Sequence, residues 1–353
     1  MPKIVAGVDS STQSVKVVLR EADSGELIAS TSRPHPDGTE VDPHEWKRAL
    51  DSALDEVSKY KIDAISIGGQ QHGMVALDST GKVIRQALLW NDTRSDQAAH
   101  QLNTEIPDIH LRTGSKLVAS FTASKVRWLA DHEKENADKV AAIALPHDWL
   151  SWHLAGASSL DTLFTDRSDA SGTGYFDATT NQYCRDIFAT ALRNSKDVTL
   201  PRIVAPHQCG GETPSGIKIA AGAGDNAGAA LGLGAGVGDL VISLGTSGTA
   251  FAVSAVPTHD PSGEVAGFAD ATGHYLPLAC TLNAAKIFNT VATTLGLTFD
   301  QFSELALTAT PGAEGLRVIP HFDGERTPNL PQARGRFHGI AHSNFTRSNI
   351  ARA

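Results

Sequence analysis

Cysteine and methionine are scarce in this sequence, whose 353 residues include 3 cysteines and 2 methionines. The cysteines, Cys184, Cys209 and Cys280, are odd in number and far apart, and they lack the paired spacing of a zinc site. We therefore expect neither a disulfide framework nor a cysteine-bound metal. The pattern favours a reduced compartment in which these residues serve packing.

Long apolar runs and an excess of positive charge are missing as well. No segment offers the roughly 20 largely apolar residues of a membrane span, and Asp9 comes too early for a secretory leader. Lys and Arg total 30 against 39 Asp and Glu, a net charge of -9, which argues against nucleic acid as a partner. We expect a cytoplasmic protein without membrane or nucleic-acid partners.

The remaining composition is that of a globular protein. Apolar residues make up 41% and charged residues 20%, which excludes a disordered or fibrous chain. At roughly 150 residues per domain the length suggests about two domains. Strand and helix patterns mix, which predicts an α/β fold. The strand pattern returns from about residue 215, so we divide the chain into 1–214 and 215–353.

Apolar periodicity and turn residues predict the elements. Pro43, with Asp42 as its cap, starts an amphipathic helix. Further helices are predicted over 124–132, 149–154 and 183–192. Strands are predicted over 4–8, 15–19, 27–30, 62–68, 217–221, 240–244 and 249–253.

Two of the predicted hairpins share one design. A strand, a short Ser/Thr/Gly turn and a second strand occur at residues 5–18 and again at 240–253, an internal repeat. Such turns offer backbone N–H groups and hydroxyls to anionic oxygens, so the pair could clamp a polyphosphate. Either turn alone is also explained as an ordinary hairpin, but their pairing favours phosphate binding.

Two carboxylates occupy positions that suggest chemistry. Asp9 opens the first turn, where a magnesium ion would relieve its repulsion from a phosphate; Lys16 could add a positive charge or be merely solvated. Asp225 starts a small-residue helix between glycines, which suits a general base with Asn226 orienting the substrate. A capping role would also explain Asp225, but not the glycines, which indicate that a surface or ligand closely approaches the backbone.

Two polar clusters follow predicted strands. Gln70-Gln71-His72-Gly73 lies where ligands bind in open α/β sheets. Trp90-Asn91-Asp92-Thr93-Arg94 combines an indole with an amide, a carboxylate and a guanidinium. That set suits a polyhydroxylated molecule, which would stack on the indole and hydrogen-bond to the polar groups, although each cluster is also compatible with a satisfied turn.

These residues resemble the FGGY family of carbohydrate kinases, and within it the branch that acts on D-xylulose. Residues 120–132 are similar to the first family signature. Other similar segments follow in the family's order at 70–73, 88–94, 145–150, 165–173, 222–226 and 323–328, so the resemblance covers the whole chain.

The resemblance implies two actin-like, ribonuclease-H-type domains around a cleft, with residues 1–214 binding the sugar and 215–353 binding ATP. It implies ATP-dependent conversion of D-xylulose to D-xylulose 5-phosphate, with Asp225 as the general base and Asp9 holding Mg²⁺. It assigns the ATP phosphates to Thr12, Gln13, Lys16, Gly245, Thr246 and Ser247. It assigns the sugar to Gln71, His72, Trp90, Asn91, Asp92, Arg94, Asp225 and Asn226. A homodimer is a further expectation.

Two departures from the family pattern matter. Gln71 stands where Met is usual, which could add a hydrogen bond to the substrate and leaves another sugar, such as ribulose, gluconate or a polyol, as an alternative. Residues 335–340 and 349–353 are similar to a second signature that ends early, so we expect a C-terminally truncated second domain without an adenosine site. The 353-residue chain is then expected to be inactive, which leaves a sugar-binding module as an alternative. A glycosidase using Asp9 and Asp225 would leave the two phosphate-type turns unexplained.

Overall fold

The fold is described from a computed structural model that covers residues 2–245, 247–322, 324–328, 330 and 332–353. The strands are β1 Ile4–Ser10, β2 Ser14–Glu21, β3 Leu27–Pro34, β4 Glu40–Val41, β5 Ala64–Gly69, β6 Val75–Leu77, β7 Ala87–Leu88, β8 Ala142–Ala144, β9 Phe164–Asp166, β10 Phe176–Asp177, β11 Gln182–Tyr183, β12 Arg202–Val204, β13 Cys209–Glu212, β14 Lys218–Ala220, β15 Ala223–Gly224, β16 Leu240–Leu244, β17 Gly248–Ala252, β18 Ala266–Ala269, β19 Tyr275–Thr281, β20 Arg317–Ile319 and β21 Arg336–His338. The helices are α1 Pro43–Glu56, α2 Asp96–Glu105, α3 Ile109–Thr113, α4 Thr122–His132, α5 Lys134–Lys139, α6 Pro146–Leu154, α7 Arg167–Ser171, α8 Arg185–Leu192, α9 Asp225–Gly232, α10 Ala285–Thr294, α11 Phe299–Thr308 and α12 Arg347–Arg352, with short 3-10 turns at Leu160–Thr162 and Ala313–Gly315.

The chain forms two compact units. The first unit comprises Met1–Asp239 and Val253–Pro277, and the second comprises Leu240–Ala252 and Leu278–Ala353. Residues 215–239 and 253–277 therefore belong to the first unit by packing. The predicted division at 214/215 concerns which ligand each part binds, and it stays a prediction.

A mixed sheet forms the centre of the first unit. Its strands are ordered β13-β14-β5-β1-β2-β3, and β15 also pairs with β5. Strands β1, β5 and β15 run parallel, with Asp9 beside Gly68 and Gly68 beside Ala223. Because the carboxyl ends of parallel strands meet at one edge of a sheet, the segments that follow these three strands converge there.

Helix α1 covers one face of this sheet, and Asp42 caps it as predicted by accepting a hydrogen bond from the His44 N–H at 3.0 Å. Its buried Trp46 and Leu50 join one apolar core with the strand residues Val17 and Leu19. Helix α6 packs against β5 and adds Trp149 to the same core.

The second unit contains the β16–β17 hairpin, in which Leu244 pairs with Gly248, and β17 pairs in turn with residues 278–281 of β19. Helix α11 packs against α12. Along β16, however, Leu240, Ile242 and Leu244 are 64%, 62% and 65% exposed. These alternate residues share one face of the strand, so that face of the hairpin is exposed.

The predicted elements agree with the structure in type and differ mainly at their ends. The strand predicted over 4–8 extends to Ser10, and the helix predicted from 124 begins at Thr122. One prediction is wrong in part, because the helix predicted over 183–192 begins only at Arg185, and Tyr183 belongs to strand β11. The short C-terminal helix begins at Arg347, with the Thr346 hydroxyl accepting a hydrogen bond from the Asn349 N–H at 3.2 Å.

Candidate active site

Three predicted site segments meet at the carboxyl edge of the first unit's parallel strands. Asp9 is near the end of β1, Gln70 follows β5, and Asp225 follows β15. The Gln70 N–H donates to the Ser10 carbonyl at 3.1 Å. The side-chain oxygens of Ser10 and Gln70 are buried and have no hydrogen-bond partner among the described residues. This edge therefore gathers carboxylate, amide and hydroxyl oxygens.

Asp225 is the first residue of α9, and Gly224 is the N-cap. A capping role thus does not explain Asp225. One carboxylate oxygen accepts from the Asn226 backbone N–H at 2.8 Å and from the Asn226 side-chain amide at 3.0 Å. The predicted neighbour Asn226 therefore orients the Asp225 carboxylate.

The local environment favours the protonated form of Asp225. Desolvation by the surrounding protein raises the Asp225 pKa to about 6, and the negative charge of Asp9 acts in the same direction. Asp225 keeps an exposed surface, so the carboxylate remains accessible. An accessible carboxylate with a pKa near neutrality is suited to accept a proton.

Asp9 faces the predicted cation Lys16. The two residues are directly opposite in the antiparallel β1–β2 pair, which places their side chains on one face of the sheet. Desolvation raises the Asp9 pKa, and the Lys16 charge opposes that shift. Lys16 thus places a positive charge beside the Asp9 carboxylate.

The first turn connects the predicted phosphate and sugar residues. The Trp90 indole N–H donates to the Thr12 hydroxyl at 2.9 Å. Thr12 keeps its own hydroxyl proton for another acceptor. The Gln13 residue is exposed. Its backbone carbonyl accepts a hydrogen bond from the His35 backbone N–H at 2.8 Å.

The second predicted phosphate turn belongs to the second unit. The Gly245 N–H donates to the Ser247 carbonyl at 3.0 Å, and the Gly245 carbonyl accepts from the Ala285 N–H at 2.9 Å. The third predicted phosphate residue of this turn, Thr246, lies outside the described residues. The Ala285 contact ties Gly245 to the first residue of α10.

Gln71 and His72 are buried, with 6% and 7% of their surfaces exposed. The Gln71 amide donates to the Ser168 carbonyl at 3.2 Å, so this donor is already used within the protein. His72 has a φ of 70°, a left-handed conformation that a non-glycine residue rarely adopts. A 2.6 Å contact between His72 Nδ1 and the Gly172 carbonyl holds its ring in place.

The 90–94 cluster is partly occupied by internal contacts. Asp92 accepts from the Arg94 Nε at 2.9 Å and from the Thr39 hydroxyl at 2.8 Å. Burial alone would raise the Asp92 pKa, but these hydrogen bonds outweigh it and lower it. Arg94 also lies over the Trp128 ring, whereas the buried Asn91 Oδ1 has no hydrogen-bond partner among the described residues. Asn91 is therefore better placed than Asp92 to hydrogen-bond to a ligand.

The glycines around Asp225 are explained by close approach of the protein itself. Gly222 has a φ of +86°, and a Cβ there would lie 2.8 Å from the Ile67 carbonyl oxygen and 3.1 Å from the His147 ring. A Cβ on Gly224 would lie 2.7 Å from the Gln71 amide nitrogen. The approaching surface inferred from the sequence is thus formed by side chains of this chain.

A buried charged cluster behind this edge was not predicted as part of the site. His147 is enclosed by Asp148, Asp166 and Asp169 at nitrogen–oxygen distances of 3.4, 3.2 and 3.3 Å. Burial alone would lower the His147 pKa, but the three negative charges raise it to about 10. The Asp148 and Asp169 pKa values are raised by burial. The sequence signal was five ionisable residues, including Arg167, within two apolar-flanked segments, 145–150 and 163–171.

Comparisons with known proteins identify the family of the chain. Residues 4–236 match the N-terminal domain of the FGGY family of carbohydrate kinases. The xylulose kinase of Streptomyces coelicolor is 44% identical over 356 residues, which cover 96% of this chain and 71% of that protein. The chain belongs to the FGGY family of carbohydrate kinases. It is accordingly an enzyme that phosphorylates a sugar at the expense of ATP.

Solved structures of this family share the fold. A xylulose kinase from Bifidobacterium adolescentis superposes with a TM-score of 0.92 at 44% identity, covering 99% of this chain and 79% of that one. A gluconate kinase from Lactobacillus acidophilus gives 0.90 at 25% identity, covering 100% of this chain and 75% of that one. The α/β fold is thus that of the FGGY kinases, with their actin-like domains, as predicted. Within the described ranges, no helix has the length and apolar character needed to cross a membrane.

Proposed function

We propose that this FGGY kinase converts D-xylulose to D-xylulose 5-phosphate, with Asp225 as the general base. The observation that carries the proposal is the Asp225 carboxylate at the edge where β1, β5 and β15 end, accessible and with a pKa near 6. The hydroxyl oxygen of the sugar attacks the γ-phosphorus, its proton passes to Asp225, and the bond to the ADP oxygen breaks. The products are the sugar phosphate and ADP.

Phosphoryl transfer mainly requires positioning and charge neutralisation. We assign the donor phosphates to Thr12, Gln13 and Lys16 of the first hairpin and to Gly245, Thr246 and Ser247 of the second. Mg²⁺ fits the first hairpin, because the Asp9 carboxylate lies close enough to Asp225 for its charge to raise the Asp225 pKa, and a hard cation prefers such oxygen ligands. When bound, Mg²⁺ would neutralise phosphate charge.

The sugar is assigned to the edge formed by Gln71, His72, Trp90, Asn91, Asp92 and Arg94. Support comes from the Trp90–Thr12 hydrogen bond, which joins the residues proposed for the sugar to those proposed for the phosphates. In this proposal residues 1–214 bind the sugar and 215–353 bind ATP. A homodimer and a cytoplasmic location are further parts of the proposal.

Xylulose is proposed over other sugars because the relatives at 44% identity are named xylulose kinases. Gluconate is the second candidate, because a gluconate kinase shares the fold at 25% identity and Gln71 replaces the Met expected in the xylulose branch. Gln71 donates to Ser168, which reduces its part in choosing the sugar.

The test is a substrate panel of D-xylulose, D-ribulose, D-gluconate and glycerol, followed by coupled ADP release. It uses the 353-residue chain and an extended protein, in which the C-terminal part of the S. coelicolor xylulose kinase beyond the matched region follows Ala353. We expect at least a tenfold preference in kcat/KM for D-xylulose. A smaller preference contradicts the proposed substrate. Sugar binding is measured separately by calorimetry. If sugar binds but neither the 353-residue chain nor the extended protein releases ADP, the sugar-binding module is supported instead.

A further inference from the structure

A chain of buried polar contacts leads from the charged cluster to the first residues of α9. His147 Nε2 lies 3.2 Å from Asp166 Oδ1. The Ser168 hydroxyl donates to Asp166 Oδ2 at 2.5 Å and accepts from the Gly224 backbone N–H at 3.0 Å. These contacts end at Gly224, one residue before Asp225.

Asp166 holds Ser168 in a single orientation. Besides the Ser168 hydroxyl, its carboxylate accepts from the Ser168 N–H at 2.6 Å and from the Asp169 N–H at 3.1 Å, which caps α7. Ser168 has no exposed surface. With its proton donated to Asp166, the Ser168 hydroxyl oxygen accepts from the Gly224 N–H.

His147 is wedged against the backbone that precedes Asp225. A Cβ on Gly69, at the end of β5, would lie 2.8 Å from the His147 Cβ, and one on Gly222 would lie 3.1 Å from its Nδ1. The imidazole thus fills the space under the ends of β5 and β15. Since protein interiors are close-packed, this contact limits movement of the backbone at Gly69 and Gly222.

Gln71 holds the same backbone from the other side. Its amide donates to the Ser168 carbonyl at 3.2 Å, and its side chain occupies the place where a Gly224 Cβ would be. Gly224 is therefore fixed by a hydrogen bond from its N–H and by packing at its Cα. As the N-cap of α9, it sets the direction in which Asp225 leaves the sheet.

We propose that Ser168 is a positioning residue for phosphoryl transfer, which fixes Gly224 and thereby holds Asp225 in reach of the sugar hydroxyl, with Asp166 and His147 acting through Ser168. The inference rests on the proposed role of Asp225. Asp9 repels the Asp225 carboxylate, so the site needs a rigid backbone to hold it. A displacement of about 1 Å in a catalytic group can cost about 100-fold in rate.

The central variant is Ser168→Ala, which deletes the hydroxyl and leaves the Gly224 N–H without its partner. Ser168→Thr keeps a hydroxyl and serves as the conservative rescue. Ser124→Ala is the matched control, because Ser124 is equally buried and its hydroxyl donates to the Val118 carbonyl at 2.9 Å, away from Gly224 in the sequence and from the Asp166 carboxylate. Asp225→Asn gives the rate without the proposed base.

Two readouts are made on these variants. In the extended protein we expect Ser168→Ala to lower kcat by about 10-fold to 100-fold with KM for the sugar changed by less than about threefold, and Ser168→Thr to recover most of the loss. In the 353-residue chain, hydrogen exchange followed by mass spectrometry should be at least about tenfold faster at the amides of 224–226 in Ser168→Ala. Ser124→Ala should change neither readout.

Unchanged kcat and unchanged exchange in Ser168→Ala would overturn the inference, as would an equal loss in Ser124→Ala or a rise in exchange spread over the whole first unit. The failure of the proposed function is distinguishable, because it shows as near-normal turnover of Asp225→Asn whatever Ser168→Ala does. Binding of one divalent metal ion per chain that disappears in His147→Gln would make His147 a metal ligand. That result would also overturn the proposed structural role of His147.

Discussion

The two polar-turn hairpins of this kinase have the same design and different surroundings. In the first hairpin, Val15, Val17 and Leu19 have no exposed surface, because α1 covers that face of the sheet. In the second, Leu240, Ile242 and Leu244 are more than half exposed. The strand–turn–strand pattern thus fixes a hairpin locally, whereas burial of its apolar face depends on elements that are distant in sequence.

Tryptophan makes the two units separable by experiment. All five tryptophans of the chain, Trp46, Trp90, Trp128, Trp149 and Trp152, lie in the first unit. Tryptophan fluorescence therefore follows unfolding of the first unit, while far-UV circular dichroism follows both. The predictions below use this difference.

The largest expected effect is the loss of core packing in the first hairpin. Leu19→Ala leaves a cavity beside Trp46 and Leu50 in the shared core, so the free energy of unfolding should fall by about 2–5 kcal/mol. Leu244→Ala, at a position 65% exposed, should change it by no more than about 0.5 kcal/mol. Urea unfolding followed by fluorescence and circular dichroism measures both free energies of unfolding. Similar losses in the two variants would contradict the difference in burial between the two hairpins.

An intermediate effect is expected from pH in the first unit. Burial, and then the positive charges of Lys47 and His44, lower the His153 pKa to about 4. The unfolded chain, with a His pKa near 6.5, then binds more protons between these values, so stability is lost as pH falls from about 6.5 to 4. Because His153 is partly exposed, we expect about 1–2 kcal/mol.

The variant His153→Gln tests this assignment. It should flatten the fluorescence-detected stability between pH 6.5 and 4 relative to the unmodified chain. An unchanged slope in His153→Gln would assign the pH dependence to other groups.

The smallest effect concerns the helix caps of the two units. Asp42→Ala removes the cap of α1 and should cost about 1 kcal/mol in the fluorescence transition, while Asp42→Asn should cost little. Thr298→Ala removes the cap of α11 in the second unit and should appear only by circular dichroism. A fluorescence shift in Thr298→Ala would mean that the two units unfold together.

Local signals in the sequence predicted much of the fold. The Asp42-Pro43 start of α1 and the two hairpins depend on neighbouring residues, and the structure has both features. The start of α8 was misplaced because the apolar pattern around Tyr183 continues into a short strand pair, β10–β11, whose partner is not evident from spacing.

The site was predicted only in part, for a physical reason. Asp9 lies near the end of a strand, Gln70 and Asp225 each follow one, and parallel pairing brings such positions together. The contacts behind them, between His147, Asp166 and Ser168, join separate segments and use charges in apolar surroundings. No periodicity marks such a cluster, because each residue taken alone resembles a helix cap or a turn.

We propose that Asp225 accepts the proton of the sugar hydroxyl. The pH dependence of xylulose-dependent ADP release by the extended protein, with and without Asp225→Asn, tests this role. A base is active when ionised, so kcat should rise as pH increases through about 6, and Asp225→Asn should lower kcat at least about 100-fold with sugar affinity nearly unchanged. Near-normal turnover of Asp225→Asn would contradict the claim.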